Sequence, residues 1–189
     1  MLASITPLGE RGRGRRWGLT VTGYLLASTA GGLSMGSILG RMGGLIAGAD
    51  IPPRGATVTV VLGAALVDGF RLRLPSTRRQ VNEDWLVRYR GWVYGTGFGF
   101  QLGMGVVTIV TTATVYATLA LTVIAATPAA GATIGATFGL VRALPVLAMA
   151  GIDQSVAVRR VHLRMQLAAS WSRRASIVLL CAAAGAVLA

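Results

Sequence analysis

Apolar residues along this chain run in five long stretches separated by short arginine-rich segments. The first goes from Trp17 to Gly40, follows Arg11, Arg13, Arg15 and Arg16, and continues through Arg41 to Ala49. At about 20 residues per crossing it predicts one membrane helix with a glycine-rich extension. A signal peptide competes for the same residues, with a core at 19–27 and Ser28-Thr29-Ala30 as its cleavage site. Against it, apolar character continues past that point without a polar break. The second stretch, Gly55 to Phe70, follows Pro52-Pro53 and carries Asp68 near its end. Its valine-rich start suits a strand, but an isolated strand in lipid leaves its backbone groups unpaired, so a short helix is expected.

From Gly91 to Thr127 there are 37 residues without a charge. A straight helix of that length would be about 55 Å long, against a hydrocarbon core of about 30 Å. Either one long helix is kinked or broken near its glycines, or the run is a tight hairpin of two minimal spans. The fourth stretch, Ala129 to Gly151, contains Arg142 and Pro145, and the last runs from Ala175 to Ala189. Counting 91–127 as one span keeps the three arginine-rich segments on one side of a bilayer. The predicted fold class is therefore all-α: a polytopic membrane bundle of about five transmembrane helices, at 17–40, 55–70, 91–127, 129–151 and 175–189. A basic cytoplasmic tail occupies 1–16, cytoplasmic loops occupy 71–90 and 152–174, and 17–189 form a single transmembrane domain. Within the second loop, Val158, Val161, Met165 and Ala168 share an arc that Arg159, Arg160 and Arg164 avoid. That pattern suits a helix lying on an anionic leaflet, or a helical connector with solvated arginines.

Composition narrows the class. With 53% hydrophobic and 13% charged residues and a mean hydropathy of +0.65, the chain lacks the charged shell, about a quarter of residues, of a soluble domain. It is too apolar for disorder. A net charge of +12 would suggest nucleic acid in a soluble protein. Here 15 of the 18 basic residues, all arginine, lie in the three segments assigned to the cytoplasm. The positive-inside rule then gives an inner (plasma) membrane protein with its N-terminus inside and C-terminus outside, and no nucleic-acid partner. One cysteine, Cys181, and one histidine, His162, exclude an internal disulfide and the usual zinc sites. No Walker loop and no nucleophile with a visible base is present, so no enzyme, cofactor or metal is expected.

The 26 glycines are ordered. Gly32, Gly36, Gly40, Gly44 and Gly48 recur every four residues, as do Gly91, Gly95, Gly99 and Gly103, and Gly131, Gly135 and Gly139. Positions four apart share a helix face, so each ladder is a groove into which another backbone fits closely, from the same chain, a second copy or a membrane partner. Gly95, Gly97, Gly99, Gly103 and Gly105 are also candidate break points in the overlong third span, and Pro145 in the fourth. Among polar candidates, Thr108 begins a series (111, 112, 114, 118, 122) that either lines a wet path or bonds its own helix. Gln101 needs partners in hydrocarbon. Arg142, at mid-depth, must pair with an acid such as Asp68, attract an anion, or snorkel to the interface. Arg41 is expected at the outer interface or paired with Asp50.

The segments Gly95-Thr-Gly97-Phe-Gly99-Phe-Gln-Leu-Gly103 and Gly131-Ala-Thr-Ile-Gly135-Ala-Thr-Phe-Gly139-Leu-Val-Arg-Ala-Leu-Pro145, with an earlier small-residue span and an Arg-Leu-Arg-Leu-Pro75 terminus, resemble the transmembrane domain of CcdA- and DsbD-type thiol-disulfide transporters in the LysE-like exporter superfamily. That resemblance implies two inverted three-helix halves and carries over only Gly95, Gly99, Gly135, Gly139 and Pro145, as structural positions. The family's first helix and both redox cysteines have no counterpart: residues 105–109 read Gly-Val-Val-Thr-Ile where the second cysteine is expected.

Three functions follow as expectations. The first is a transporter-like protein moving or binding a small anionic solute between the third and fourth spans. The alternative is a non-transporting membrane subunit or assembly factor that packs on a partner through its glycine faces. A third, CcdA-like thiol transfer in cytochrome c biogenesis, requires Cys181 to pair across a dimer or with another protein. Lipid is the constant partner, with anionic lipid at the arginine-rich loops.

Overall fold

The structure, a computed structural model, describes residues 5–46, 53–72, 74, 88–105, 112–150 and 155–188. Regular structure among them is entirely helical: α1 (Pro7–Gly12), α2 (Trp17–Ile46), α3 (Pro53–Gly69), α4 (Gly91–Met104), α5 (Thr114–Ile124), α6 (Pro128–Ala143) with a 3₁₀ extension over Leu144–Met149, and α7 (Ser155–Leu188). Two helices open on the same local signal. Thr6 and Thr127 each precede a proline, and their hydroxyl oxygens accept the Gly9 and Ala130 N–H groups at 3.1 and 3.3 Å, which caps the start while proline occupies a position whose N–H has no helical partner. Pro145 acts in the opposite sense, because without an N–H it cannot extend the α-helical ladder, and the chain tightens into the 3₁₀ segment after Ala143.

Helix α2 stands at the centre and packs on α4, α5 and α6. It runs unbroken past residues 28–30. Against α6 it is antiparallel and in backbone contact: a methyl group on Gly32 would overlap the Gly135 carbonyl, on Gly36 that of Gly131, and on Gly40 that of Thr127. Seen from α6, Gly131, Gly135 and Gly139 meet the carbonyls of Gly36, Gly32 and Ser28. Gly44 lies against the Ala126 carbonyl, and Gly48 falls outside the described residues. Against α4 the arrangement is parallel, with Gly95, Gly99 and Gly103 under the carbonyls of Thr20, Tyr24 and Ser28. Such approach is possible only without a Cβ, and close packing supplies the association energy that lipid does not.

The 37-residue uncharged run is built as two helices, α4 and α5. Helix α4 ends at Met104 and Gly105 adopts the left-handed conformation, φ 76°, which glycine tolerates. The interruption therefore begins at Gly105. Gly95, Gly97, Gly99 and Gly103 lie inside a continuous α4. The tight hairpin is excluded as well, because the Val123 carbonyl of α5 meets Gly43 near the far end of α2, so both pieces run in the same direction as α2.

Helix α3 packs on α5 and α7 at the periphery, around Ala64, Ala113 and Ala117 with Val67 and Leu180. Residues 155–174, within the expected second cytoplasmic segment and its amphipathic helical stretch, continue into the last apolar stretch as one 34-residue helix. Two segments among the described residues are long and apolar enough to cross a membrane, Pro128–Met149 and Trp171–Leu188. The other three of the five expected spans are not shown by this measure, for a physical reason. Glycine, serine and threonine dilute α2, and the interruption leaves α4 and α5 with 14 and 11 residues, each too short to span alone.

Candidate functional site

The two most informative charges each bond to one flank of the interruption between α4 and α5. Arg142 on α6 donates from Nη1 to the Leu102 carbonyl at 3.3 Å, and its guanidinium lies 5.5 Å from the centre of the Phe138 ring. Leu102 is in the last turn of α4, where its carbonyl also accepts the Gly105 N–H at 3.2 Å, and the negative end of the helix dipole there stabilises a cation. Asp68 on α3, 6% exposed, accepts the Ala113 N–H at 2.7 Å through Oδ1. This carboxylate serves the positive N-terminal end of α5. The expected Arg142–Asp68 ion pair is therefore not formed: each charge caps a different half of the interrupted segment. The other carboxylate oxygen, Asp68 Oδ2, is buried with no hydrogen-bond partner.

Beside the interruption, α5 and α6 diverge to form an open groove of about 750 Å³ with Arg142 in its lining. Threonines on its walls spend their protons locally: Thr118 donates to the Thr114 carbonyl, Thr133 to that of Ala130, and Thr137 to that of Thr133. Gln101 is half-buried on α4 and lies outside the groove lining. Thr108 falls outside the described residues, as does Asp50, while Arg41 is exposed. Pro145 marks the start of the 3₁₀ segment. Cys181 is exposed on α7. Among the described residues no group of three or more His, Cys, Asp or Glu side chains could hold a metal.

A second polar cluster was missed at the sequence level. Glu10, in the segment read as a basic tail, is wholly buried because α1 folds it against α2 and α4. Its Oε2 accepts from Thr20 Oγ1 at 2.8 Å, and its Oε1 accepts from Arg13 Nη2 at 2.8 Å and from the Tyr94 hydroxyl. The Trp17 indole N–H donates to the Ile5 carbonyl at 3.3 Å and closes the strap. Gly91 admits the cluster, since a Cβ there would stand 2.9 Å from Glu10 Oε2. Burial by itself raises the Glu10 pKa, but hydrogen bonds from Tyr94, Arg13 and Thr20 and the Arg13 charge outweigh it and hold the carboxyl below its usual value. The available signal was Thr6-Pro7, which marks a helix start before the arginines.

Comparison with known proteins points in one direction. The chain is similar to the methylamine utilization protein MauF of Paracoccus versutus, 31% identical over 58% of this chain and 43% of the relative. The similarity to MauF of Paracoccus denitrificans is 35% over 58% and 43%, and to that of Methylophilus methylotrophus 32% over 59% and 41%. The chain thus spans about two fifths of the length of the curated relatives it matches. No family model and no solved structure matches it. These relatives correct the resemblance drawn from the glycine and Leu-Pro segments: the similarity runs to MauF and not to the CcdA, DsbD or LysE-like exporters. Motifs made mostly of glycine report helix packing, which unrelated membrane proteins share. The transporter-like function and the thiol-transfer alternative fall with that resemblance.

Proposed function

We propose that this chain is a membrane accessory protein of methylamine utilization, a non-transporting subunit or assembly factor rather than a carrier. The observation that supports this most is the 31–35% identity to three proteins named for methylamine utilization. The architecture agrees with the role. Three helices, α2, α4 and α6, are in direct backbone contact through their glycines, an arrangement suited to a rigid scaffold that presents surfaces to a partner. In this reading the chain is a multi-pass protein of the inner membrane, N-terminus in the cytoplasm, with its arginine-rich segments facing the anionic leaflet. It performs no catalysis of its own, and its outward faces meet lipid, a membrane partner or a second copy.

Deletion of the gene in its native host tests the reading. Growth with methylamine as the sole nitrogen source should be lost, growth with ammonium retained, and the wild-type gene should restore the former. Unimpaired growth of the deletion strain on methylamine would overturn it.

A further inference from the structure

We propose that the groove between α3 and α5 receives one transmembrane helix of a partner protein, and that this helix carries a lysine or arginine that pairs with the unmet half of the Asp68 carboxylate. The inference rests on the reading of the chain as a subunit that packs on a partner, and it names the chemistry of that partner. Asp68 is buried. Its Oδ1 is spent on the Ala113 N–H, while Oδ2 is buried with no hydrogen-bond partner.

The height of Asp68 in the molecule follows from the contacts of α2. Gly103, near the end of α4, lies under the Ser28 carbonyl, and the Val123 carbonyl, near the end of α5, meets Gly43. Ala113 falls between these two points along the chain, so Asp68 stands level with the stretch of α2 between Ser28 and Gly43. Gly139, Gly135 and Gly131 of α6 pack along that same stretch, and α6 belongs to one of the two segments apolar enough to cross a bilayer. In the membrane reading the acid therefore lies at bilayer depth. An ionised side chain there is costly unless a group of opposite charge meets it, and Arg142 is already bonded to Leu102.

An open groove of about 400 Å³ between α3 and α5 reaches this carboxylate, since Val67, the neighbour of Asp68, and Ala113, bonded to it, both line the groove. Its other walls include Gly63, Ala64, Ala117 and Ala120, and a Cβ on Gly63 would meet nothing within 4 Å. Small side chains let a second helix backbone approach closely. The described lining holds no charged group, and the Thr59 hydroxyl donates to the Gly55 carbonyl. Oδ2 lies behind the groove wall, a reach that suits the long stems of lysine and arginine. A lipid tail would fill the groove but leave Oδ2 unmet, whereas a helix with one basic side chain satisfies both.

Two synthetic probes test this: a leucine–alanine transmembrane peptide of about 20 residues with one lysine at its centre, and the same peptide with leucine there. Binding of each fluorescently labelled peptide to the full chain in bicelles is titrated. The lysine peptide should bind more tightly by about threefold to tenfold. Asp68→Asn, which keeps an acceptor for the Ala113 N–H, should melt near the wild type yet lose the preference. Gly63→Trp should weaken both peptides, whereas Gly185→Trp on α7, where a Cβ also has open space, should weaken neither. Failure here leaves the growth phenotype of the deletion strain standing, and normal growth of that strain overturns the accessory role without altering these binding outcomes. Equal binding of the two peptides to the wild type would overturn the proposal. So would a preference that survives Asp68→Asn, binding indifferent to Gly63→Trp, a stable dimer of the chain that Gly63→Trp dissociates, or a preference that appears only in Arg173→Gln, which would place the pairing inside the chain.

Discussion

Arg142 and Asp68 bracket one interruption in the backbone: the guanidinium takes the Leu102 carbonyl at the end of α4, and the carboxylate takes the Ala113 N–H at the start of α5. A cation at a helix C-terminus and an anion at a helix N-terminus each oppose the local dipole. Breaking the long uncharged run makes two new helix ends, and end groups left unmet away from water are costly. The two neighbouring helices supply one group of the correct sign to each end.

This arrangement predicts an absence of rescue. Asp68→Ala should destabilise the protein by about 0.5–2 kcal/mol, the cost of a lost N-cap, and Asp68→Asn, which retains an acceptor oxygen, should recover most of it. The charge-exchanged double variant Asp68→Arg/Arg142→Asp would restore a simple ion pair, but here it places the wrong sign at both helix ends. It should be less stable than either single exchange. Thermal melting of the detergent-solubilised variants, followed by size-exclusion recovery, measures this; recovery in the exchanged pair would restore the ion-pair reading.

Glycine substitutions should divide by position, with opposite signs. Gly36→Ala puts a methyl into the Gly131 carbonyl, so α2 and α6 must separate, at a cost of about 3 kcal/mol or more. Gly63→Ala on α3 has open space within 4 Å of its Cβ, and should gain about 0.8–1 kcal/mol from helix propensity. The same melting assay reads both. A similar loss at the two sites would mean that propensity and not the α2–α6 contact sets the response.

The parts of this fold that could be read from sequence are those encoded in local spacing. A four-residue glycine period is a property of one helix, and Gly32, Gly36, Gly40, Gly131, Gly135 and Gly139 each face a backbone in the structure. That the 37-residue run needed an interruption followed from length alone. Where it falls did not follow, because five glycines offered the same permissive backbone and only Gly105 among them takes a positive φ. Pairing failed for a related reason: opposite charges in neighbouring spans suggest a bridge, whereas which backbone end each one reaches is a three-dimensional fact. Glu10 lies in a segment legible only as a basic tail, because its burial depends on α1 folding back onto Thr20 and Tyr94.

The Glu10 cluster makes stability pH-dependent on the acid side. Its carboxyl lies below the usual value of 4.5 in the folded protein. The ionised form is thus the one the fold favours, and its contribution is complete above that usual value and lost as pH falls through the folded one. Glu10→Gln keeps the shape but weakens the charge-assisted bonds, so at pH 7 it should melt lower, by about 1–3 kcal/mol of stability. As pH falls through the lowered folded-state value the wild type should approach the variant. Melting curves from pH 7 to pH 3 compare the two; a constant gap across that range would show that the carboxylate charge contributes nothing.

Ser28 offers the sharpest test of how α2 joins its two neighbours. Its carbonyl lies against both Gly103 and Gly139, and its hydroxyl donates to the Gly139 carbonyl at 2.7 Å while fully buried. Ser28→Ala removes only the hydroxyl and leaves that carbonyl less satisfied, so a loss of about 0.5–1.5 kcal/mol is expected. Ser28→Val keeps the loss of the hydrogen bond and adds bulk where three backbones converge, so it should cost more than Ser28→Ala by about 1–3 kcal/mol. Were close packing unimportant here, the two variants would melt together, since both lack the same donor. The ordering wild type, alanine, valine in melting temperature therefore separates the contribution of the hydrogen bond from that of the backbone contact, at a residue where α2, α4 and α6 meet.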